Sequence, residues 1–214
     1  MSVIIPTLNE EEAVAGAITS ARNAGASEVI VVDGGSADRT ARFATAEGAR
    51  VLLCEPMRAR QLNRGAAAAA NAWLIFLHAD TRLPRGAADA VENSGVVFGG
   101  FRLRFAEPDR RLRIAERMIN LRSAITRAPW GDQAQFAART SFPGFPEIPI
   151  MEDYELARRM KRIGRTRILP LTVTTSGRRF LEKGLLRTAM INWWLILKYH
   201  RGVDPEELAR VYRR

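Results

Sequence analysis

The sequence predicts a single α/β domain with a Rossmann-like, mostly parallel central sheet, flanking helices and a helical C-terminal segment. Short apolar runs alternate with helix-like segments through the first half of the chain. These runs are nearly solid rather than alternating in polarity, which is typical of strands buried on both faces of a parallel sheet. The length of 214 residues, 47% of them hydrophobic, fits one large domain with a substantial core.

The first half of the chain is predicted to alternate strictly between strands and helices. The strands are Ser2 to Pro6, Glu28 to Val32, Arg50 to Cys54 and Trp73 to Leu77. The helices between them are Glu10 to Ala24, with Asn9 as its cap, Ser36 to Glu47, ended by Gly48, and Arg58 to Asn71. Strand–helix–strand units at this spacing indicate parallel strands joined by crossover helices.

The second half is less regular but contains no internal repeat and no linker. Its predicted elements are a strand at Val96 to Phe105, a helix at Arg110 to Thr126, a short strand at Gln135 to Ala138 and a helix at Asp153 to Ile163. A Pro-rich loop, Phe142 to Pro149, precedes the last of these, and Thr172 to Ser176 is a further β-like run. The tail from Gly184 to Arg214 is predicted to be helical, with a break near Gly202 to Pro205.

The charge and cysteine content limit the classes of partner. The chain carries 33 Lys and Arg residues against 23 Asp and Glu residues, a net charge of +10. Most of the cations are Arg, whose planar fork suits phosphate, so the alternatives are a solvated basic surface or a diphosphate, nucleic acid or anionic lipid as partner. The single cysteine, Cys54, excludes an internal disulfide and a multi-Cys zinc site.

The sequence contains no segment that we interpret as a signal peptide or a transmembrane helix. The apolar run at the start is short and is followed directly by acidic residues, so we expect a cytoplasmic protein. Neither Ala66 to Ala79 nor Met190 to Leu197 approaches the ~20 apolar residues that a membrane span requires. The apolar C-terminal helix with Trp193 and Trp194 could pack in the core, form a dimer face or lie on the inner face of a membrane, and these alternatives stay open.

Polar residues gather where the predicted parallel strands end. Ligands of open α/β sheets bind at these carboxyl ends. Asp33 follows four apolar residues and needs partners there, so we interpret Asp33 as ligand-binding and Ser36 as the cap of the next helix. Asp80 follows the fourth strand, where a carboxylate beside a diphosphate suits Mg²⁺ or Mn²⁺. The alternative for Asp80 is a surface turn before Pro84.

Two further groups of charged residues are candidates for the site. Glu152 and Asp153 begin a predicted helix, where acidic residues also favour the positive end of the helix dipole without any catalytic role. Arg60 and its neighbours begin the third helix and either form a solvated basic face or contact phosphates. We assign the phosphate contact to Arg60 and the solvated face to Arg64.

The segments SVIIPTLNEEE, VIVVDGGSADRT, LIFLHADTRLP and IMEDYELARR together resemble the inverting family-two glycosyltransferases, which have the GT-A fold. The order and spacing of these segments match that family across roughly residues 2 to 165. The motifs HADTRLP, GDQ, PIMEDYELARRM and TSGRRF also resemble the subgroup associated with arsenosugar biosynthesis. The resemblance divides the single domain into a nucleotide-binding half (1–105), an acceptor and catalytic half (106–182) and C-terminal helices (183–214).

The resemblance implies transfer of a sugar, with inversion, from a nucleoside diphosphate sugar to a hydroxyl of a small acceptor, with a UDP-sugar as the expected donor. The implied nucleotide-sugar-binding residues are Pro6, Thr7, Glu10, Asp33, Gly35, Arg60, Asp80, Arg178 and Arg179. Asp80 would also bind the Mg²⁺ or Mn²⁺ that bridges the diphosphate, and Asp153 would be the general base. The residues expected on the acceptor side are Asp132, Gln133 and Glu152.

The sequence departs from the family pattern at three places. The usual Asp-Asp-Gly-Ser is Asp33 to Ser36 with glycine in second place, and the usual Asp-x-Asp is His78 to Asp80. The metal would therefore rest on Asp80, the donor diphosphate and water, with His78 hydrogen-bonded beside it. The frequent Gly-Gly-Phe of the acceptor loop is Pro143 to Phe145.

Three other functions remain as alternatives. A transferase acting on a polyprenyl phosphate at the membrane predicts that Met190 to Tyr199 is exposed and bound to lipid. A nucleotidyltransferase would need a Gly-rich phosphate loop after the first strand, where this chain has Thr-Leu-Asn-Glu-Glu-Glu. A nucleic-acid-binding protein fits the charge, but the carboxylates at the strand ends would repel a phosphate backbone, so no nucleic-acid partner is expected. A homo-oligomer remains open, and His200 receives no role.

Overall fold

The computed structural model describes residues 1–213, except for the side chains of Arg179, Lys183, Leu185, Leu186 and Arg213. Within this part, a seven-stranded sheet has the order β3-β2-β1-β4-β6-β5-β7. The strands are β1 (Ser2–Thr7), β2 (Glu28–Asp33), β3 (Arg50–Leu53), β4 (Trp73–Phe76), β5 (Phe98–Phe105), β6 (Phe136–Ala138) and β7 (Thr166–Thr175). Only β6 runs antiparallel to its neighbours, which confirms the mostly parallel α/β fold.

Helices cover both faces of this sheet and form the C-terminal segment. They are α1 (Val14–Asn23), α2 (Thr40–Ala46), α3 (Arg58–Ala68), α4 (Ala87–Glu92), α5 (Arg110–Thr126), α6 (Glu152–Ile163), α7 (Arg178–Lys183), α8 (Leu185–His200) and α9 (Pro205–Arg213). Single 3₁₀ turns lie at Gly131–Gln133 and Arg139–Ser141. No helix in the described residues is long and apolar enough to cross a membrane.

The first two helices begin one turn later than the sequence predicts, because the segments before them hydrogen-bond to each other. The Asn9 amide donates to Ser36 Oγ (2.9 Å), and Asn9 Oδ1 accepts from the Ala37 amide (2.9 Å). The Glu10 amide donates to Thr40 Oγ1 (2.8 Å). Asn9 and Ser36 were expected to cap their own helices, and they instead join the loops that follow β1 and β2.

The strands β1, β2 and β4 are buried on both faces, as their apolar runs predict, whereas β3 lies at the edge of the sheet with Arg50 and Leu53 exposed. One face of β1, β2 and β4 packs with α1 and α4 through Val3, Ile5, Val29, Val31, Ile75 and Leu77. The opposite face packs with α3 and α6 through Ile4, Ile30, Val32, Leu74 and Phe76. At Gly65 a Cβ would lie 3.1 Å from a Val32 methyl and closer still to Ile4. The glycine therefore allows α3 to lie close against the sheet.

The edge strand β7 contains a bulge that sequence reasoning did not predict. It pairs parallel with β5, and the register shifts between Phe101 and Arg102. The shift leaves Pro170 and Leu171 without partners in β5, because Leu169 pairs with Phe101 and Thr172 with Arg102. Proline cannot donate to a ladder and is tolerated at an edge or a bulge.

Candidate active site

The carboxyl ends of β1, β2 and β4 lie side by side, so the loops that follow them share one edge of the sheet. Thr7 and Asp33 are register partners at the ends of β1 and β2. His78, Ala79 and Asp80 follow β4 in the neighbouring position. The first turns of α3 and α6 and the 3₁₀ turn at Gly131–Gln133 complete this edge.

Asp33 holds the turn after β2 together. Its Oδ1 accepts hydrogen bonds from Thr7 Oγ1 (3.1 Å) and Ser36 Oγ (2.5 Å). Its Oδ2 accepts from the amides of Gly35 (3.2 Å) and Ser36 (2.9 Å). Asp33 is 2% exposed, and both oxygens are fully used. The expected direct contact with a nucleoside therefore does not fit Asp33 in this arrangement.

The remaining residues of these two loops differ in what they expose. The Thr7 carbonyl accepts hydrogen bonds from Gln61 Nε2 (2.8 Å) and the Gly34 amide (2.8 Å), so buried Thr7 also supports the turn. Pro6 is half-buried. Gly35 is exposed, has a φ of +88° and has no atom within 4 Å of the position of a Cβ. Its backbone is the part of this turn that a ligand can approach.

Asp80 is the exposed carboxylate of the β4 end. Its Oδ1 accepts hydrogen bonds from Thr81 Oγ1 (3.2 Å) and Thr175 Oγ1 (3.4 Å). Burial and then the nearby charge of Asp80 raise the pKa of Glu10, while Arg178 opposes this shift. The charges of Asp80 and Arg178 therefore act on Glu10, although the three residues lie on separate segments of the chain.

A divalent cation would find exposed Asp80 here, with half-buried Glu10 in the same neighbourhood, rather than a complete set of protein ligands. No group of three or more His, Cys, Asp or Glu residues in the described part of the chain could hold a metal ion alone. Mg²⁺ usually keeps several waters and binds through one or two carboxylates plus substrate phosphates. Exposed Asp80 fits such a site.

A second cluster of charges surrounds Arg58, at the start of α3. Its Nε lies 3.2 Å from Glu152 Oε1, and its guanidinium also contacts His78 Nε2. Desolvation disfavours the charge of Arg58, but Glu152, Asp153 and Asp132 outweigh it and raise the pKa of the guanidinium. The side chain remains 40% exposed, so one side of this cation stays accessible from solvent.

Asp153 is held by backbone amides at the start of α6. Its Oδ2 accepts from the Gly131 amide (2.6 Å), and its Oδ1 accepts from the Tyr154 amide (2.7 Å). A Cβ at Gly131 would lie 2.9 Å from His78 Nε2 and 3.1 Å from Asp153 Oδ2. Because position 131 is glycine, the ends of β4 and α6 can approach each other closely. Asp153 is half-buried, which leaves part of its carboxylate accessible.

Asp132 is influenced by charges of both clusters, those of Arg58 and Asp153 and that of Asp80. Its Oδ1 is buried and has no hydrogen-bond partner among the described residues. Burial raises the pKa of Asp132 from 3.8 to about 6, against the pull of Arg122. The charges of Asp153 and Asp80 add to the increase. Arg122 itself stacks over the Trp130 ring, with its Cζ 3.8 Å from the ring centroid.

Three residues expected in the site have other surroundings. Gln133 is fully buried, and its Nε2 donates to the Phe101 carbonyl and to Ser123 Oγ (both 2.9 Å). Its amide therefore cannot contact an acceptor substrate. Glu152 is 5% exposed and forms its ion pair beneath the accessible surface, where burial raises its pKa. Arg60 is ion-paired with Glu55 (2.7 Å) and Glu147 (2.9 Å) rather than with the carboxylates of the candidate site.

The cationic residues predicted on the late loop are only partly described. Arg178 is exposed, lies close to Glu10 and has Glu182 as a distant ion-pair partner (3.8 Å). The side chain of Arg179 lies outside the described residues.

From the sequence, Arg58 was considered together with Arg60 and Arg64 but the role was assigned to Arg60, and Arg122 was not considered at all, although a signal existed for Arg58. Arg58 and Arg60 are about 200° apart around an ideal helix, and the buried residues Ala59 and Leu62 show which side faces the protein. Arg60 lies away from that side. Two non-glycine residues with positive φ, Ala134 (46°) and Met151 (70°), also flank the site, and such strain concentrates at functional sites.

The sheet order, the carboxylate at the end of β4 and the acidic start of α6 define a GT-A-type glycosyltransferase domain, the class that uses nucleotide sugars. The chain belongs to glycosyl transferase family 2, whose sequence model matches residues 2–145. Comparison with curated proteins found no match.

Solved structures share this fold at low sequence identity. TarS 1–349 from S. aureus is 17% identical with a TM-score of 0.64, and the match covers 82% of this chain and 60% of that one. Glucosyl-3-phosphoglycerate synthase from Mycobacterium tuberculosis, in complex with Mn²⁺, UDP and glucosyl-3-phosphoglycerate, is 22% identical with a TM-score of 0.58. This second match covers 81% of the present chain and 70% of the synthase chain. At these identities the likeness establishes the fold alone.

Proposed function

We propose that the protein transfers a sugar from a nucleoside diphosphate sugar, a UDP-sugar being the expected donor, to a hydroxyl of a small acceptor with inversion. The observation that carries this proposal is the close approach of the segment that ends in Asp80 to Asp153: a Cβ at Gly131 would lie 2.9 Å from His78 Nε2 and 3.1 Å from Asp153 Oδ2. One carboxylate serves the diphosphate side and the other serves the acceptor side. The UDP and Mn²⁺ bound to the mycobacterial synthase support the choice of donor and cation.

Asp153 is the proposed general base. The acceptor oxygen forms a bond to the anomeric carbon, the bond from that carbon to the diphosphate oxygen breaks, and the acceptor proton passes to an Asp153 carboxylate oxygen. Two backbone amides fix the orientation of this carboxylate, and half-burial leaves it accessible. Glu152 suits the role less well, because it is nearly fully buried and paired with Arg58.

The donor diphosphate is proposed to lie over the exposed backbone of Gly35, beside Asp80 and Arg178. A bound Mg²⁺ or Mn²⁺ would neutralise the charge that develops on the leaving diphosphate. Asp80 would hold that cation, and Arg178 would add a second positive charge. The geometry supports only a structural part for Asp33 and Thr7, which set the shape of the turn.

The test compares two neighbouring carboxylates. Asp153→Asn keeps the side-chain size but cannot accept a proton, so turnover should fall by about 10²- to 10⁴-fold. Affinity for UDP with Mn²⁺, measured by calorimetry, should change little. Glu152→Gln is the matched control and should lose less turnover. Release of UDP from a UDP-sugar, with water as acceptor, provides a first assay. Full activity in Asp153→Asn with loss of activity in Glu152→Gln would reverse the assignment.

A narrower proposal concerns the acceptor. The GDQ and TSGRRF motifs support a place in arsenosugar biosynthesis, through the subgroup that they resemble. The acceptor would then be a small hydroxyl compound carrying arsenic. Mass spectrometry of reactions with candidate arsenicals as acceptors tests this narrower proposal, and products formed only with arsenic-free acceptors would contradict it.

A polyprenyl phosphate is the second candidate acceptor. It is favoured by Met190 and Trp193 on α8, each 67% exposed, since this alternative requires an exposed apolar helix. Transfer of sugar to a polyprenyl phosphate in detergent micelles would support it. Products formed only with water-soluble acceptors would exclude it.

A further inference from the structure

The outer side of α5 carries a continuous apolar stripe. The exposed fractions are 54% for Ile114, 60% for Met118, 62% for Leu121 and 73% for Ile125. Spacings of four, three and four residues place these four side chains on one face of the helix. The opposite face of α5, with Leu112 and Ala115 among its residues, packs against β5. The four side chains of the stripe therefore take no part in the packing of α5 against the sheet.

Helix α8 carries two further exposed apolar residues. It contacts α5, and Met190 and Trp193 are each 67% exposed and one helical turn apart. Isolated exposed apolar residues are common, but four on one face of a helix, with two more on a helix that contacts it, indicate an interaction site. We call the four residues of the α5 stripe together with Met190 and Trp193 the α5–α8 face.

A basic groove borders the α5–α8 face. A cavity of about 160 Å³ is lined by Arg102, Arg127 and Arg167, together with Asn120, Ala124 and Ile168. Asn120 and Ala124 belong to α5 itself, so the groove and the stripe share this helix. No acidic residue lines the groove in the described part of the chain. It is thus suited to an anionic group such as phosphate.

The charged residues of α5 also favour an anionic partner. Arg110 and Arg117 are exposed on this helix, and its only acid, Glu116, is 9% exposed and paired with Arg113 (2.5 Å). A two-fold contact would place this basic patch against a copy of itself, so positive charges would face positive charges across the interface. An apolar stripe between cations instead matches the interfacial region of an anionic bilayer, where apolar side chains enter the acyl boundary and cations meet phosphate.

We propose that the α5–α8 face docks on an anionic lipid membrane, with the arginine groove receiving lipid phosphate. The docking residues are separate from the candidate active site, so this proposal holds or fails independently of the sugar-transfer reaction. It requires no membrane-spanning helix.

Vesicle sedimentation with the full chain tests the proposal. The protein should sediment with vesicles of phosphatidylcholine and phosphatidylglycerol, should bind pure phosphatidylcholine far less, and should dissociate at high salt. Removing two arginines with Arg102→Gln and Arg167→Gln should weaken binding to anionic vesicles by roughly thirtyfold, at ~1 kcal/mol for each cation. Met118→Ser with Leu121→Ser should also abolish most of the binding.

Matched controls separate docking from general effects. Leu53→Ser removes an apolar side chain of similar exposure (65%) on β3, and Arg42→Gln with Arg64→Gln removes two exposed cations elsewhere. Both controls should bind vesicles like the wild type. Circular dichroism and UDP binding should be unchanged in the docking variants, which would show that they are folded.

Equal binding to neutral and anionic vesicles would overturn the proposal, as would equal losses in the docking and control variants. Sedimentation equilibrium without lipid tests the second-copy alternative. A stable dimer that the Met118→Ser, Leu121→Ser variant dissociates would show that another copy of the chain covers this face, and would also overturn membrane docking.

Discussion

Replacing Asp132 by asparagine is expected to stabilise the protein above pH 6. Burial and the nearby carboxylates raise the pKa of Asp132 from 3.8 to about 6, even though Arg122 and Arg58 oppose the shift. A difference of about two pKa units corresponds to about 3 kcal/mol of free energy of unfolding once the group is fully ionised. The wild type therefore carries this destabilisation at neutral pH.

The direction of the pH dependence follows from proton binding. Between pH 4 and pH 6 the native state holds a proton on Asp132 that the unfolded chain has lost, so stability falls as pH rises through this window. Asparagine does not ionise, so the stability of the variant should not fall in this way as pH rises. The free energies of unfolding of Asp132→Asn and wild type should agree near pH 4. At pH 7.5 the variant should be more stable by up to about 3 kcal/mol.

Urea unfolding followed by tryptophan fluorescence at a series of pH values measures this difference. Asp89→Asn is the control, because Asp89 is exposed on α4 and its replacement should change stability by less than about 0.5 kcal/mol at every pH. Parallel stability curves for Asp132→Asn and wild type, or a wild type that is the more stable protein at pH 7.5, would refute the reasoning.

Three further outcomes follow from the site and the core. Asp80→Asn should weaken metal-dependent binding of UDP without unfolding the protein, and equal affinities by calorimetry with Mn²⁺ would contradict its assignment. Arg58→Gln leaves Glu152 buried without its ion-pair partner and should lower the free energy of unfolding in urea by about 1–2 kcal/mol. The loss is small for a buried pair because the Arg58 side chain is 40% exposed. An unchanged midpoint would indicate a protonated Glu152. Gly65→Ala should destabilise by about 1–3 kcal/mol, because its methyl would overlap Ile4, and a fully stable variant would show that α3 can move away from the sheet.

The parallel strands of the first half could be predicted from the sequence, because burial on both faces produces a local pattern of apolar residues. Runs such as Val29 to Val32 must be apolar at every position when helices cover both sides of a strand. The sequence pattern of the edge strand β7 is weaker. Pro170 interrupts its sequence, and only the pairing with β5 accommodates that proline in a bulge.

The same contrast separates the residues of the candidate site. The positions of Asp80 and Asp153 relative to their own strand and helix could be predicted, because element ends are local features. The hydrogen bonds of Asp33 could not, since its oxygens are saturated partly by Thr7, which lies on another strand. The burial of Gln133 likewise depends on contacts with β5 and α5.

The sequence by itself determined the alternation of strands and helices up to β4, the family and the edge of the sheet where polar residues gather, since periodicity and local motifs encode these properties; it did not reveal α4 or α7. Tertiary structure alone decided which charges meet. The Arg58–Glu152 ion pair joins residues 94 positions apart. The pKa of Asp132 is raised by burial and by the charge of Asp153 on α6, and it is lowered by the cations on α3 and α5. Desolvation and Coulomb energies depend on distance in space, and a one-dimensional pattern does not contain that distance.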